Sequence, residues 1–520
     1  MPSSVPTETV QLDHRSEHQV AAVLKAERAP LPHPILLARR VGVGLLGVQL
    51  VVMVGFSIVL YRRYDLTQDY AQYAQAWYAI AHGHLNPWDS VHHFAFWTND
   101  GELVLWPLAL LYLVFPHAID LLLVQDLAVV ATELVVFWWI IDVLEQARPR
   151  LSVRTASLVV VAVVVVLMAD PWAYQTIAFD FHTHPLAAFF VVLAGRALWS
   201  NHRRHLVWWV LGALMCNALA GLWVAAVGVS GVLTGHGRRQ AGAAMIVVGI
   251  AWMAVLSSAS GHFGGNVATN FAYLVHHPGA HAGLLAVALG ALTHPGAVLA
   301  HIAVRWPYLL VYLGPLGLVG IASPWALPII AAVFLPSMLA APPVFIRVLQ
   351  SFQQWPALPF ALVGSVMVLV GLRRRRFGSR IVRGTVVLWA TMLSLMAAVE
   401  LPAIPTYWVA DTPAAAAELA HLHATIAPTA EVIASQGVAG RFADRADIGT
   451  FWYRNASFPI TAHTVVFIIT ATQGVGEASP SATSDAVRTI EHLGARPILA
   501  RDGIDAFIWH PVHQRRIVLP

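Results

Sequence analysis

Two short acidic clusters follow long apolar segments of the chain. The first contains Asp65 and Asp69, and the second contains Asp180 with His182 two residues later. Because Asp65 and Asp69 are four residues apart, a helix would place both carboxylates on one face. A carboxylate at a water–lipid boundary can accept a proton from a hydroxyl group or hold a divalent cation. We expect the two clusters to meet at one surface of a membrane.

Asp65, Asp69 and Asp180 are therefore our candidate catalytic residues. The alternative for Asp65 and Asp69 is a structural one, since aspartate is favoured at the start of a helix by capping and by the helix dipole. Metal binding is a further possibility, with Asp65, Asp180 and His182 as potential ligands and a divalent cation as the potential cofactor. The histidine spacing matches no zinc signature, so the sequence leaves the metal open.

Charged and imidazole side chains near these clusters, or near the ends of apolar segments, are candidates for substrate binding. They are Arg62, Arg63, Asp100, Glu102, His182, Arg305 and Arg347. The planar fork of an arginine can hold a lipid-linked phosphate, although an arginine at a membrane boundary can equally anchor to lipid headgroups. Asp100 and Glu102 precede an apolar helix. They can cap that helix or take part in the site, and the sequence does not distinguish these two roles.

The composition is that of a multi-pass membrane protein. Hydrophobic residues make up 58% of the 520 positions and charged residues 11%, whereas soluble domains have about 25% charged residues. The single cysteine, Cys216, excludes an intramolecular disulfide. The basic pI of 9.3 comes from arginines beside apolar segments, which favours lipid contact, and we expect no nucleic-acid partner.

The arginine-rich turns predict the topology, because positive residues accumulate on the cytoplasmic side of membranes. About eleven apolar segments are suitable for crossing: 41–61, 118–142, 151–169, 184–200, a pair within 205–234, 241–258, 304–321, 325–341, 355–372 and 380–400. We therefore predict a cytoplasmic tail at 1–40 and an all-α membrane domain at 41–400. An outer loop at 62–117 would carry two interfacial helices, since residues 102–116 are too few to cross a bilayer.

Residues 401–520 are less apolar and predict a small extracytoplasmic α/β domain. The expected elements are helices at 412–426 and 485–494, strands at 430–435 and 464–470, and a hairpin at 497–509. The hairpin is predicted by Asp502-Gly503, because this pair readily adopts the positive φ of a tight turn. Such a domain would cover the membrane cavity or bind an acceptor.

Asp126 and Glu133 lie seven residues apart within an apolar segment, and thus on one helix face. Ionisable groups inside a bilayer usually mark a cavity or a partner. Because of these two residues, a transporter or a lipid flippase is an alternative function for the chain. The alternative is a structural contact with neighbouring helices, which the sequence favours slightly over a transport path.

Several motifs resemble a bacterial family of predicted membrane proteins, domain of unknown function 2079. They are Tyr64-Asp65-Leu66, Ala76-Trp77-Tyr78-Ala79-Ile80-Ala81-His82-Gly83, Leu111-Tyr112-Leu113-Val114-Phe115-Pro116, Phe179-Asp180-Phe181-His182, Ala430-Glu431-Val432-Ile433-Ala434-Ser435 and Gly440-Arg441-Phe442. That family is similar in architecture to the GT-C glycosyltransferases, polytopic enzymes that use polyprenyl-phosphate sugars and an acidic residue in the first outer loop.

The resemblance implies that Asp65 is the general base and Asp180 the acid of the second loop. The chain departs from the family in two places, at Met215-Cys216-Asn217 and at Asp100-Gly101-Glu102. The sequence hypothesis is a membrane glycosyltransferase in the bacterial cytoplasmic membrane. It would transfer a sugar from a polyprenyl-phosphate donor to an envelope glycan, lipid or protein acceptor at the outer face. A noncatalytic envelope assembly protein is a third possibility.

Overall fold

The computed structural model describes residues 33–98, 101–147, 153–235, 237–259, 270–275, 284–341, 352–374, 379–452, 456–471, 478–512 and 515–519. The helices in these ranges are α1 His33–Arg63, α2 Gln68–Ala81, α3 Leu105–Tyr112, α4 Ile119–Gln146, α5 Val153–Met168, α6 Pro171–Ala178, α7 Thr183–Trp199, α8 Arg203–Cys216, α9 Ala220–Thr234, α10 Arg239–Ala259, α11 Leu284–Thr293, α12 Pro295–Arg305, α13 Pro307–Leu313, α14 Leu327–Leu339, α15 Leu358–Arg374, α16 Ser379–Trp408, α17 Pro413–Thr425 and α18 Pro480–His492. Most of the predicted tail, together with Asp100 and Arg347, lies outside the described residues.

Six helices in the described ranges are long and apolar enough to cross a membrane. They are Leu36–Arg63, Ile119–Gln146, Ala156–Ala178, Arg239–Ala259, Trp355–Leu372 and Gly384–Trp408. The bent pair formed by α11 and α12, which meet at 90°, would make a seventh. The protein is thus a multi-pass membrane protein, but the predicted eleven continuous spans are not found in the part of the chain that is described.

Breaks and short helices explain the difference in number. The predicted span 304–321 is divided, because Pro307 begins a new helix and Gly317 has a φ of +98°. Proline lacks the N–H that would continue a helical ladder. The predicted span 325–341 contains α14, which at 13 residues is about 20 Å long. That length is well below the ~30 Å hydrocarbon core.

The short helix α9 is shielded by protein. A Cβ atom at Gly228 would lie 2.5 Å from the carbonyl oxygen of Gly242, and one at Gly221 would lie 2.6 Å from that of Gly249. The backbones of α9 and α10 therefore touch, as small residues permit between membrane helices. Hydropathy alone does not separate such a buried helix from a lipid-facing span.

The C-terminal region has the predicted strands and helices. Its strands are β3 Glu431–Ser435, β4 Ile448–Phe451, β5 Ala456–Pro459, β6 Val465–Thr470, β7 Arg496–Arg501, β8 Ile504–Trp509 and β9 Arg516–Leu519. Five of them form a sheet in the order β4-β3-β6-β8-β7, in which β3 is parallel to β4 and β6 and the other pairs are antiparallel. Asp502 (φ +53°) and Gly503 (φ +79°) turn the hairpin as predicted.

The segment 62–117 and the C-terminal region pack together at one end of the helical bundle. The backbone N–H of Gly440 donates to the carbonyl of Leu66 over 2.8 Å, and the Gln75 side chain donates to the carbonyl of Ala446 over 2.7 Å. Helix α2 lies in the segment predicted to carry interfacial helices, yet its Tyr70 and Trp77 are buried within the protein. The start of α2, which carries Asp69, is therefore attached to the C-terminal region. A short hairpin, β1 Trp88–Asp89 and β2 Phe94–Ala95, follows α2.

Candidate functional site

The two acidic turns are in direct contact. The backbone N–H of Thr67 donates to Oδ1 of Asp180 over 3.1 Å, and the Thr67 hydroxyl donates to Oδ2 of the same carboxylate. Two residues further on, Oδ2 of Asp69 lies 3.5 Å from Nε2 of His182. The clusters that follow the first and third predicted spans therefore converge, as expected if both lie at one face of the membrane.

Asp180 is a structural centre of this contact. Its side chain is buried, its carboxylate is occupied by Thr67, and its backbone has a φ of +48°. Gln125 of α4 supports the same turn from the other side. It donates to the carbonyl of Asp180 over 2.6 Å and accepts from the N–H of His182 over 2.7 Å. Burial raises the pKa of Asp180 to about 6, although the Thr67 hydroxyl acts in the opposite direction.

His182 is held in an aromatic environment. Its ring stacks on Phe352 at 3.8 Å between centroids and on Phe179 at 5.2 Å, and Tyr73 meets it edge-on. Nδ1 lies 3.1 Å from the carbonyl oxygen of Phe179. Because a carbonyl oxygen can only accept, Nδ1 carries a proton, and Nε2 is the nitrogen that faces Asp69. A ring nitrogen and a carboxylate oxygen therefore face each other across the two turns.

Two carboxylates take part in the contact between the turns, those of Asp69 and Asp180. Only the carboxylate of Asp69 is accessible. Its side chain is 27% exposed, whereas that of Asp180 is buried. Asp69 lies in the first turn of α2, whose N-cap is Thr67, and the Asp69 N–H donates to the Thr67 hydroxyl over 3.2 Å. The side-chain position is thus fixed by the start of the helix while the carboxylate remains reachable. The N-cap is thus Thr67, and the position of Asp69 in the first turn agrees with the structural alternative, in which the helix dipole favours a carboxylate.

Asp65 has a different environment. Its Oδ1 accepts hydrogen bonds from the backbone N–H groups of Ala410, over 3.0 Å, and Asp411, over 2.9 Å, just beyond the end of α16. Its Oδ2 is buried and has no hydrogen-bond partner among the described residues. Burial raises the pKa of Asp65 to about 7, against the effect of the two backbone donors. Through these two hydrogen bonds Asp65 joins the segment after α1 to the C-terminal region.

The raised pKa of Asp65 predicts a pH dependence of stability. In the unfolded chain the group titrates near 3.8, so between about 4 and about 7 the folded protein binds more protons than the unfolded one. The stability that protonated Asp65 contributes is complete below the unfolded pKa and is lost as pH rises through about 7. Asp65→Asn keeps an oxygen acceptor but does not titrate. We expect the Tm of the parent protein to fall, relative to that of the variant, as pH rises from 4 to 8.

Thermal unfolding of the two proteins in lipid nanodiscs at several pH values measures this difference. Asp180 titrates in both proteins, so its contribution cancels in the comparison. Parallel Tm curves for the parent and the variant would contradict the role of Asp65 as a buried titrating group.

Arg305 was a candidate for binding a phosphate or a lipid headgroup, and the guanidinium is bonded to protein in the structure. It donates to the carbonyls of Met338 over 2.7 Å and Ala341 over 3.1 Å, and also to that of Ala340. These carbonyls belong to the C-terminal end of α14, where helical partners are missing. Arg305 therefore stabilises a helix end, which a positive charge at this position favours.

The two arginines at the end of α1 differ in their surroundings. Arg63 approaches the carbonyl of Asp411 at 3.5 Å, while Arg62 is exposed. Arg62 is thus the candidate arginine that is open to a ligand at this end of the bundle. Asp100 and Arg347, which were candidates too, lie outside the described residues.

Glu102 is fully buried between α2 and α7. Its Oε1 accepts from the Tyr73 hydroxyl over 2.5 Å and from the Thr183 hydroxyl over 3.2 Å. Asn217 continues this network, since its amide nitrogen lies 3.4 Å from the Thr183 oxygen. Glu102 therefore links α2 to the start of α7, and its side chain has no exposed surface.

A metal site is not apparent in the arrangement of acidic and histidine side chains. Within the described ranges, no group of three or more His, Cys, Asp or Glu residues is placed to hold an ion. Asp65, Asp180 and His182, the possible ligands, are each bonded to protein groups.

The sequence missed Thr67 and Gln125, which position the acidic residues. Both partners of Asp180 come from elements far away in the chain. A glutamine in an apolar helix was a usable signal, because a polar side chain in a membrane span needs a partner. Thr67 could have been identified as the residue before α2, since threonine is a common N-cap.

The fold and this cluster define a multi-pass membrane protein with a carboxylate–histidine site at one end of its bundle. The chain belongs to the family of predicted membrane proteins DUF2079, whose model matches residues 62–494. A solved structure that resembles it is ArnT from Cupriavidus metallidurans bound to undecaprenyl phosphate, with 12% identity, a TM-score of 0.41, and coverage of 88% of this chain and 97% of that chain. A similarity at this level does not establish a shared activity. No significant match to a curated protein was found.

Proposed function

We propose that the protein is a membrane glycosyltransferase that moves a sugar from a polyprenyl-phosphate donor to an envelope acceptor. The observation that carries this proposal is the Asp69–His182 pair, 3.5 Å apart, with Asp69 accessible beside the end of a membrane helix. A reachable carboxylate at a lipid boundary suits a reaction between a lipid-linked donor and a polar acceptor. General-base catalysis needs such a group within hydrogen-bond distance of the acceptor hydroxyl.

In the proposed reaction the acceptor hydroxyl attacks the anomeric carbon of the donor sugar. Asp69 takes the hydroxyl proton as the new carbon–oxygen bond forms. The bond between the anomeric carbon and the phosphate oxygen breaks, and polyprenyl phosphate leaves with the bonding electrons. A single displacement of this kind inverts the anomeric configuration. His182 holds Asp69 in place and can share the proton that Asp69 receives.

The exposed Arg62 suits the donor phosphate in this scheme. It lies in the last turn of α1, next to the turn that leads to the acidic residues. A guanidinium can form paired hydrogen bonds with phosphate oxygens and offset the charge that develops on the leaving group. We place this end of the bundle at the outer face of the bacterial cytoplasmic membrane, with the N-terminal tail cytoplasmic and the C-terminal region extracytoplasmic.

Transfer of label from a polyprenyl-phosphate sugar tests the proposal. Membranes that contain the parent chain are expected to move label into envelope lipid, glycan or protein, and membranes that contain Asp69→Asn are not. Right-side-out vesicles should give transfer to an added acceptor that cannot cross the membrane. The absence of any transfer by the parent chain, with donors carrying several sugars, would overturn the proposal.

Two buried acids in α4 favour a second candidate, proton-coupled transport of a lipid or solute. Asp126 accepts a hydrogen bond from the Ser57 hydroxyl over 3.1 Å, and Glu133 is buried on the same helix face. Carboxylates inside a bilayer can carry protons along a transport path. The test is the double variant Asp126→Asn with Glu133→Gln. If it abolished lipid flipping in liposomes while sugar transfer persisted, transport would be the function of these two residues.

A further inference from the structure

A cavity lies at the same end of the molecule as the Asp69–His182 pair, on a different face of α2 from Asp69. Its volume is about 440 Å³, within the range of small-molecule sites. Its walls come from the end of α1, from α2, from the loop after α3 and from the C-terminal region: Tyr61, Trp77, Tyr78, Tyr112, His423 and Arg441 are among them. Along α2, Trp77 and Tyr78 line this cavity, whereas Asp69 and Tyr73 contact His182.

The aromatic rings of the cavity stand nearly perpendicular to one another. Trp77 and Tyr112 meet at 85° with centroids 5.1 Å apart, and Tyr78 and Tyr112 meet at 81° over 6.0 Å. The face of an aromatic ring carries negative charge density and attracts positively polarised hydrogens. The C–H groups on one side of a pyranose ring are such hydrogens. Rings at right angles can enclose a flat, partly apolar ligand of this kind from two sides.

Trp77 also has an unused polar group at this place. The indole Nε1 is buried and, in the described part of the chain, has no hydrogen-bond acceptor. The indole N–H groups of Trp139, Trp172 and Trp252 are likewise without an acceptor among the described residues, so the cavity and its aromatic walls carry the argument and the Trp77 N–H is consistent with it. A hydroxyl or ring oxygen of a bound molecule would supply the acceptor.

The charges around the cavity do not suit a polyphosphate. Arg445 donates to the carbonyls of Phe442 and Ala430 and to Asp444, and His423 also pairs with Asp444. Arg441 is the remaining guanidinium. It lies 3.7 Å from the ring centroid of Tyr61 and donates to the Tyr61 carbonyl over 2.5 Å. A single guanidinium with an aspartate at the rim can bind hydroxyl groups, as a sugar requires.

We propose that this cavity is a binding site for a sugar unit of an envelope glycan. Aromatic walls, an unpaired indole N–H and one arginine beside one carboxylate are the features that support this class of ligand. The site goes beyond the transfer reaction and does not depend on it, because neither Asp69 nor His182 lines the cavity.

The sugar can reach the cavity from two sources. Pro116 lines the cavity, and the three residues before it are exposed. Leu113, Val114 and Phe115 are each more than 60% exposed. An exposed apolar segment beside the cavity suits contact with lipid, so a glycolipid headgroup could enter from the membrane. A free or polymer-linked glycan could enter from the aqueous side.

Binding measurements on the full chain in nanodiscs, prepared without sugar detergents, test this proposal. The probes are soluble tetrasaccharides of glucose, N-acetylglucosamine, galactose and mannose, and nanodiscs containing glycolipids with the same headgroups. We expect titration calorimetry and saturation-transfer NMR to detect at least one of these sugars. Trp77→Phe keeps the ring and removes the N–H, and should weaken that binding about five- to tenfold through loss of a hydrogen bond.

Tyr78→Ala provides a second variant in case the substitution at Trp77 disturbs folding, because Tyr78 is only partly buried at the rim. Trp208→Phe is the matched control, since Trp208 is 67% exposed and distant in sequence from the cavity walls. Binding of soluble sugars supports entry from water, and binding of glycolipids alone supports entry from the membrane. The proposal is overturned if none of the eight probes binds, if inorganic phosphate binds in their place, or if both cavity variants bind as well as the control.

Discussion

Asp69→Asn is expected to lower the rate of sugar transfer about 10²–10⁴-fold, the usual contribution of a positioned general base. The amide cannot take the proton of the acceptor hydroxyl, and its size leaves the surrounding contacts intact. Folding should be little affected, because the Asp69 side chain is partly exposed and its backbone N–H keeps the hydrogen bond to Thr67. The loss should appear in kcat, since the missing interaction belongs to the transition state.

Asp485→Asn is a suitable matched control for this variant. Asp485 pairs with the exposed Arg488 within α18, outside the carboxylate–histidine cluster, so its removal should leave transfer unchanged. Asp65→Asn provides a second comparison, because the asparagine oxygen can still accept from the N–H groups that Asp65 binds. If Asp65→Asn abolished transfer while Asp69→Asn retained parental activity, the base would be Asp65, and the assignment to Asp69 would be wrong.

The convergence of the two acidic turns was predictable, because each turn follows an apolar segment and parity places both at one face. The roles within the cluster were not predictable in the same way. Asp65, Asp69 and Asp180 are alike as residue types, and their differences arise from partners that are distant in sequence. Asp65 meets N–H groups 345 and 346 residues away, and Asp180 meets Thr67 113 residues away. No local pattern carries that information.

Arg305 illustrates the same limit for the charged residues. An arginine near a predicted span end suits a phosphate or a lipid headgroup, and the sequence offers no third choice. The structure supplies one, because a helix that ends nearby leaves carbonyl groups without partners. The local signals were more reliable in the C-terminal region. There the hairpin at Asp502 and Gly503 depends on backbone preferences of two residues and was predicted correctly.

Asp180→Ala should have the largest effect on stability among single substitutions at the site. It removes the acceptor of both the Thr67 N–H and the Thr67 hydroxyl, in a position where water cannot replace it. It also places alanine at a φ of +48°, a region that aspartate and asparagine tolerate better. Unsatisfied buried donors and the less favourable backbone together should cost about 2–4 kcal/mol of unfolding free energy. Sugar transfer should fall with it, because Thr67 begins the helix that carries Asp69.

Asp180→Asn is the matched variant for this prediction, because it keeps an oxygen acceptor and the tolerance of positive φ. We expect most of the stability to remain, as measured by denaturant or thermal unfolding in nanodiscs. Thr67→Val completes a double-mutant cycle. Since the two residues bond to each other, the double variant Thr67→Val with Asp180→Ala should lose about 1 kcal/mol less than the sum of the single losses. Additive losses would mean that Asp180 stabilises the protein through contacts other than Thr67, and the link between the two turns would then lie elsewhere.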